Sequence, residues 1–349
     1  MIEMKMKVGG YLTSVRNIDT GEELITEPTH NLVTNSGIDL LLNGRRVSSG
    51  TTLIENFFLF TGNGDAGFAY PRFMVGCGTA ATTPSMTTLQ NFTEAFTNIT
   101  SSGTATTLVD GKWHQRVVKT VSISHAPVTE IAFSPNGQEI FSRILLKNPI
   151  ANNGTYTFTY DFFISLPYAT RTFVSNLGGT GISGEIKVDD TYYVGYGGVS
   201  IPKIAPGYCF TSSNPDKWVG PSTSNIVPVG LLTPYCFRNT VHHNPMFSTS
   251  TTLDFGNDDT TRLPYQSNGY CTCTAGPYVA GQGYRDFTYT VNAAYPTASS
   301  GVLNIAYLNL RGLAMRFGSY VNGSWVGQTL NKDAAHKLVI TLRYTYTAE

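Results

Sequence analysis

Two stretches of strict two-residue alternation constrain this chain more tightly than any other feature. From Thr155 to Leu166, the residues Tyr156, Phe158, Tyr160, Phe162, Ile164 and Leu166 fall on one side, and mostly Thr, Asp and Ser on the other. From Leu338 to Thr347, the residues Leu338, Ile340, Leu342, Tyr344 and Tyr346 oppose Thr341, Arg343, Thr345 and Thr347. A period of two is the repeat of an extended strand with one buried face. The aromatic and β-branched content suits a pleated surface. Val117–Ile123 and Phe287–Ala293 show the same pattern less cleanly.

Turn residues punctuate the rest. Gly occurs 35 times and Pro 17 times, and Asp19-Thr20-Gly21, Asn136-Gly137 and Asn322-Gly323 read as hairpin tips. Many short strands divided by tight turns predict an all-β fold of the β-sandwich kind. Helical signals are few. Asn35-Ser36 reads as the cap of a short helix through Leu42. Pro84-Ser85 opens a second expected helix through Phe96, with Met86, Leu89, Phe92 and Phe96 at roughly helical spacing.

The chain contains two similar stretches. Arg116 precedes a strand, followed by Glu130-Ile131-Ala132-Phe133, Ser142-Arg143 and the Thr155–Leu166 strand. Arg285 precedes a strand, followed by Asn304-Ile305-Ala306-Tyr307, Met315-Arg316-Phe317 and the Leu338–Thr347 strand. With 349 residues and 41% apolar content there is material for two cores. The expectation is two β-sandwich-like domains, 1–167 and 168–349, with short helices and long elaborated loops in the second. Those loops fall at about 178–283, where Gly, Pro, Tyr and Asn crowd together.

Charge narrows the function classes. Charged residues make up only 13%, and 23 basic residues balance 23 acidic ones. No basic tract stands out, which argues against nucleic acid as a partner. A polar but uncharged surface suits a subunit that partners cover, since few charges then lose their hydration on assembly. Five cysteines, an odd number in a long chain, argue against a disulfide framework. No signal peptide or membrane-spanning run is evident, so synthesis in a reducing cytosol is expected.

Motifs with chemical meaning fail on context. Gly62-Asn63-Gly64-Asp65-Ala66-Gly67 spells a dinucleotide fingerprint, but Phe68-Ala69-Tyr70-Pro71 does not open a helix. Asp254-Phe255-Gly256 lacks the other elements of a kinase. Asp254, Asp258 and Asp259 do not have EF-hand spacing. Cys271-Thr272-Cys273, with the isolated Cys209 and Cys236, lacks zinc-site spacing, and the adjacent His242-His243 would point to opposite faces of a strand. No catalytic residue, cofactor or metal ligand is therefore expected.

Three further stretches resemble a recurrent virion module of tailed bacteriophages. The first is Asp19-Thr20-Gly21-Glu22 with Asn31-Leu32-Val33-Thr34-Asn35-Ser36-Gly37 and Leu40-Leu41-Leu42. The second is Val75-Gly76-Cys77-Gly78 through Pro84, then Thr88-Leu89. The third is Glu130-Ile131-Ala132 leading to Ile140-Phe141-Ser142-Arg143-Ile144-Leu145-Leu146 and Asn148-Pro149-Ile150. The likeness spans roughly the first 165 residues, and Cys77 departs from the small or hydroxylated residue of the pattern. It implies a non-enzymatic structural subunit of the phage tail, neck or an appendage, made in the host cytoplasm and located in the virion. Its partners would be further copies of itself and neighbouring virion proteins.

Two alternatives stay open, a receptor- or carbohydrate-binding tail fibre or spike and a capsid decoration protein. Tyr193, Tyr196 and Trp218 in the middle loops are the candidate glycan or partner contacts, because aromatic faces stack on sugar rings. A homo-oligomer is expected on two grounds. Ordering the Gly- and Pro-rich loops costs about 1–2 kcal/mol per residue, which burial against neighbours offsets. The two long strands carry one charge each, Asp161 and Arg343, so either would be a poorly guarded edge unless it lies inside its sheet.

Overall fold

The structure is a computed structural model that describes residues 1–25, 27–43, 72–96, 107–109, 112–134, 139–165, 170–177, 180–188, 192–194, 200–202, 246–255, 261–262, 271–293, 295–296, 301–309 and 313–349. It is an all-β, sandwich-like fold, 61% strand and 3% helix. The Asn136-Gly137 turn, the Gly62–Gly67 loop and all of 203–245 lie outside the described residues.

One large sheet runs through the whole chain. Its strands lie in the order Cys271–Ala275, Tyr284–Val291, Leu338–Ala348, Ile2–Asn17, Gly154–Ser165, Lys112–Ile123 and Thr107–Val109. The first strand, Ile2–Asn17, holds the centre. It pairs antiparallel with Gly154–Ser165 and parallel with Leu338–Ala348. The expected boundary near residue 167 therefore falls in a chain whose two sides share a sheet. Helix Asn35–Asn43 adds further ties across it. Asp39 accepts the Tyr278 hydroxyl and the Gly281 amide, and the Leu42 carbonyl accepts Arg285 Nη1.

Both alternating strands have the predicted phase. Tyr156, Phe158, Tyr160 and Phe162 are buried, as are Leu338, Ile340, Leu342, Tyr344 and Tyr346. Both are interior strands, so neither is the exposed edge that low charge alone suggested. Their single charges are neutralised across the sheet. Asp161 lies opposite Arg116 and takes Nε and Nη2 at 2.8 and 2.9 Å. Arg343 lies opposite Asp286 with contacts of 2.7 and 2.8 Å. The two pairs occupy matching places with their signs exchanged.

That match extends to the two flanking sheets. One has the order Leu32–Val33, Ser142–Ile150, Val128–Ser134, Arg72–Gly76 and Phe92–Phe96. The other has Thr180–Val188, Leu313–Val321, Tyr307–Asn309, Met246–Ser248 and Thr261–Arg262, with Arg171–Leu177 added outside Thr180–Val188. Taken in chain order, strand answers to strand, and every pairing in both is antiparallel. The second set also carries a hairpin, Leu313–Val321 with Ser324–Gly327, closed at Asn322-Gly323 where both residues have positive φ, as a type I′ turn requires. The Asp19-Thr20-Gly21 tip likewise forms a turn, between Ile2–Asn17 and the bridge of Arg16 to Glu23.

The core between the large sheet and the first flanking sheet is aromatic. Phe73 meets Phe158 at 4.7 Å between ring centres, and Phe133 meets Tyr160 at 4.6 Å. Two local expectations change. The helix at Asn35 is capped by Thr34, whose Oγ1 accepts the Gly37 amide at 3.0 Å, while Asn35 is already the first helical residue. The expected helix over Ser85–Phe96 does not form. Its end is the strand Phe92–Phe96, paired with Arg72–Gly76, and the residues before it are turns. Met86 and Leu89 still pack inward, beside Met74 and Ile140, so apolar spacing there reports burial and not helix.

Because Ile2–Asn17 is hydrogen-bonded on both sides, packing along it supports the two sides of the chain at once. Met6 on this strand is fully buried. Met6→Ala is expected to cost about 2–5 kcal/mol, seen as a lower urea midpoint in one cooperative transition with an unchanged slope.

Candidate functional site

The most highly organised polar centre lies under the motifs that carry the resemblance. Glu130 and Arg143 stand diagonally on neighbouring strands, Glu130 opposite Leu145 and Arg143 opposite Ala132, with fully buried side chains. Arg143 Nε donates to Glu130 Oε2 at 2.7 Å. The rest of the carboxylate is enclosed by backbone amides: Gly78 and Asn91 donate to Oε1 at 3.0 and 2.8 Å, and Gln90 to Oε2 at 3.2 Å. Arg143 Nη1 reaches the Ala80 carbonyl at 2.9 Å and Thr82 Oγ1 at 2.7 Å, while Nη2 has no partner. A Cβ on Gly76 or Gly78 would sit 2.7 or 2.5 Å from Glu130 Oε1, so the glycines of this segment are there to let the chain close around a carboxylate.

The helix start joins the same centre. Thr34 Oγ1 donates to the Ile140 carbonyl at 2.7 Å, and the Asn35 amide donates to Pro84 O at 2.7 Å. Burial alone would raise the Glu130 pKa. The Asn91 and Gln90 amides and the Arg143 guanidinium outweigh it and hold the carboxyl below its ordinary value.

A counterpart stands in the second flanking sheet, at Arg316. Its Nε and Nη2 donate to Glu185 Oε2 at 2.9 and 2.7 Å, and both residues are buried. As Arg143 holds the loop after Arg72–Gly76, Arg316 holds the loop after Met246–Ser248, through Asp254 Oδ1 at 2.9 Å. Here the centre opens outward, since the Asp254 side chain is 79% exposed. The guanidinium lies 4.0 Å from the Trp325 ring centre and 4.8 Å from that of Phe255, and it donates to the Tyr320 hydroxyl at 3.1 Å.

Two apolar surfaces reach solvent. The tip of the hairpin exposes Tyr320, Val321 and Val326. The second is a groove of about 140 Å3 lined by Met1, Ile2, Phe173, Val174, Leu338 and Ile340, among others. Val174 is 84% exposed and stands on Arg171–Leu177, whose outer edge pairs with no strand among the described residues.

Tyr193 lies on the two-stranded ribbon of Tyr192–Val194 with Ser200–Pro202, where only the backbone is described. Tyr196 and Trp218 lie outside the described residues, as do Cys209, Cys236, His242 and His243. Cys271 and Cys273 stand on one strand, and Cys77 is a free thiol. Asp254 and Phe255 of the kinase-like tripeptide are the residues that meet Arg316. Among the described residues no three His, Cys, Asp or Glu side chains gather as a metal site, and no helix is long and apolar enough to cross a membrane.

Sequence reasoning took Glu130, Arg143 and Arg316 as motif letters and missed them as charge centres. The available signal was a lone charge inside an apolar strand, as in Val128–Ser134 and Leu313–Val321, in a chain otherwise poor in charge. No protein-family model matches the chain, and no curated protein or solved structure matches it.

Two substitutions separate buried from surface charge. Glu130→Gln leaves the Arg143 charge enclosed without its counterion and is expected to destabilise by about 3–5 kcal/mol. Asp161→Asn breaks a pair whose arginine is half exposed and is expected to cost no more than about 1 kcal/mol. Chemical denaturation of both variants tests the contrast. A depressed carboxyl pKa also fixes the sign of a pH effect. The stability that Glu130 contributes is fully present above the ordinary glutamate pKa of about 4.3 and is lost as pH falls below it through the folded-state value. Melting curves in acid should therefore show a steeper loss for the native chain than for Glu130→Gln.

Proposed function

We propose that the chain is a non-enzymatic structural subunit of a tailed-phage virion, placed in the tail, neck or an appendage and held by contacts with further copies and neighbouring virion proteins. The observation that carries this reading is where the motif residues go. Val75–Pro84 and Glu130–Ile150 meet at the buried pair of Glu130 and Arg143, and Asn31–Gly37 is bonded beside it, with Leu32 paired to Arg143 in the sheet and Thr34 and Asn35 bonded to Ile140 and Pro84. A sequence pattern spent on internal closure marks a scaffold module rather than a reactive site.

The exposed surfaces agree with an assembly role. A strand edge without a partner among the described residues, beside an apolar groove, is a surface on which another chain gains both hydrogen bonds and apolar burial. Low charge keeps the desolvation cost of such contacts small.

Val174→Glu tests the reading, because the side chain is solvent-exposed and the fold does not need it. The purified variant is expected to melt like the parent chain yet to be lost from phage particles when it replaces the native protein during infection. Normal incorporation, with a particle structure in which the groove faces solvent in every copy, would count against the assembly role.

A further inference from the structure

We propose that the second half of the chain carries a binding site for a neutral, hydroxyl-rich ligand, a short saccharide, in the cleft between the loop at Thr251 and the segment Gly327–Asn331. The inference concerns a surface separate from the groove at Val174 and does not depend on the assembly role.

The cleft measures about 470 Å3, inside the roughly 300–1,000 Å3 range of small-molecule sites. Its lining is unusual for its chemistry. Gly181, Ile182, Thr251, Gly327, Gln328, Thr329, Leu330 and Asn331 surround it, and none of them is ionisable. Two carboxamides and two hydroxyls supply donors and acceptors together, since a carboxamide has two of each and a hydroxyl has both. Among the described residues none of these four side chains is engaged in an intramolecular hydrogen bond, and all four are exposed. Ile182 is buried and Leu330 half-buried, which gives the cleft an apolar floor.

A phosphate or carboxylate ligand would call for a cation or a cluster of amides aimed at one point, and among the described residues no cation lines this cleft. An aliphatic ligand would leave four polar groups without partners. A sugar ring fits both halves of the lining. Its hydroxyls meet the amides and threonines, and its C–H face rests on Leu330 and Ile182.

The walls are built, not incidental. The Thr251 loop is anchored by Asp254 and Phe255 on Arg316. It presses so closely on the opposite wall that a Cβ on Gly327 would lie 2.1 Å from the Thr251 carbonyl oxygen. The opposite wall is also an addition to the repeated scaffold. In the first half, Ser142–Ile150 passes to Gly154–Ser165 through residues 151–153 alone. In the second half, residues 322–337 intervene at the matching place and contribute Gly327–Asn331. Nothing in the first half requires that insertion, and added loops on a rigid scaffold are where binding groups concentrate.

The test uses the full chain and a panel of neutral hexose and N-acetylhexosamine mono- to tetrasaccharides, read by saturation-transfer NMR at millimolar sugar. At least one panel member is expected to give signal, unchanged between about 50 and about 500 mM NaCl because no ion pair is involved. The double variant Gln328→Ala/Asn331→Ala should lose that signal at least about five-fold, since a site built on hydrogen bonds to hydroxyls fails when those partners are removed. Gly181→Leu is an independent check. A Cβ there meets nothing within 4 Å, so the side chain fills the cleft without straining the fold, and binding should again fall. Melting curves matching the parent confirm that both variants are folded. Silence from the whole panel, signal that survives both variants, or a preference for acidic sugars that salt abolishes would each overturn the proposal.

Discussion

A guanidinium cannot give up its charge inside a protein, so the burial of Arg143 is the constraint around which the first half of the chain is arranged. Neutralising it takes Glu130, and Glu130 in turn needs donors for the rest of its lone pairs. The donors are amides of a loop that must curl tightly to reach them, which is why Gly76 and Gly78 stand where they do. Arg143 then ties Ala80 and Thr82 of the same loop to its own strand. One ion pair thereby fastens the loop at 78–82, residues 90–91 and the two strands of Glu130 and Arg143 to one another. Replacing such a pair by apolar residues is often harmless to stability, so what Arg143 adds is definition of the loop rather than net energy.

The second constraint is topological. Ile2–Asn17 lies between one long strand from each half, and it reads the two in opposite senses, antiparallel to Gly154–Ser165 and parallel to Leu338–Ala348. Two sets of strands with matching order are thereby joined through backbone hydrogen bonds instead of side-chain contact alone. Signs are exchanged between the matching pairs Arg116–Asp161 and Asp286–Arg343. The place of a cross-strand charge pair is the same in both halves while the strand that carries each charge differs, and the energy of such a pair depends on complementarity and not on direction.

Legibility in the sequence followed the range of the interaction. Strand phase is local, so Tyr156 to Phe162 and Leu338 to Tyr346 could be assigned to a buried face from spacing alone. The Asn322-Gly323 turn was equally local, since two consecutive positive φ angles need residues of that kind. Edge or centre is not local. The low charge of the two long strands looked like an unguarded edge until their partners were known. The segment over Ser85–Phe96 misled because Met86 and Leu89 meet the core from a series of turns, and burial at irregular spacing imitates a helical period. Partners of buried charges were the least legible, since nothing near Arg316 in sequence points to Glu185 or Asp254.

The same guanidinium position does different work in the two halves, and the difference lies in what covers it. At Arg143 the loop closes over the ion pair and the centre is sealed. At Arg316 the loop contributes an exposed carboxylate and an aromatic ring, and an inserted hairpin lays Trp325 across the other side. A sealed centre can only hold its loop. An open one holds its loop and also presents a wall to solvent, here the wall of a cleft lined with uncharged polar groups. A repeated scaffold with one rigid anchor per half can therefore vary the loop on one anchor while the other preserves the core. That arrangement lets new surface chemistry arise without disturbing the sheet that both halves share.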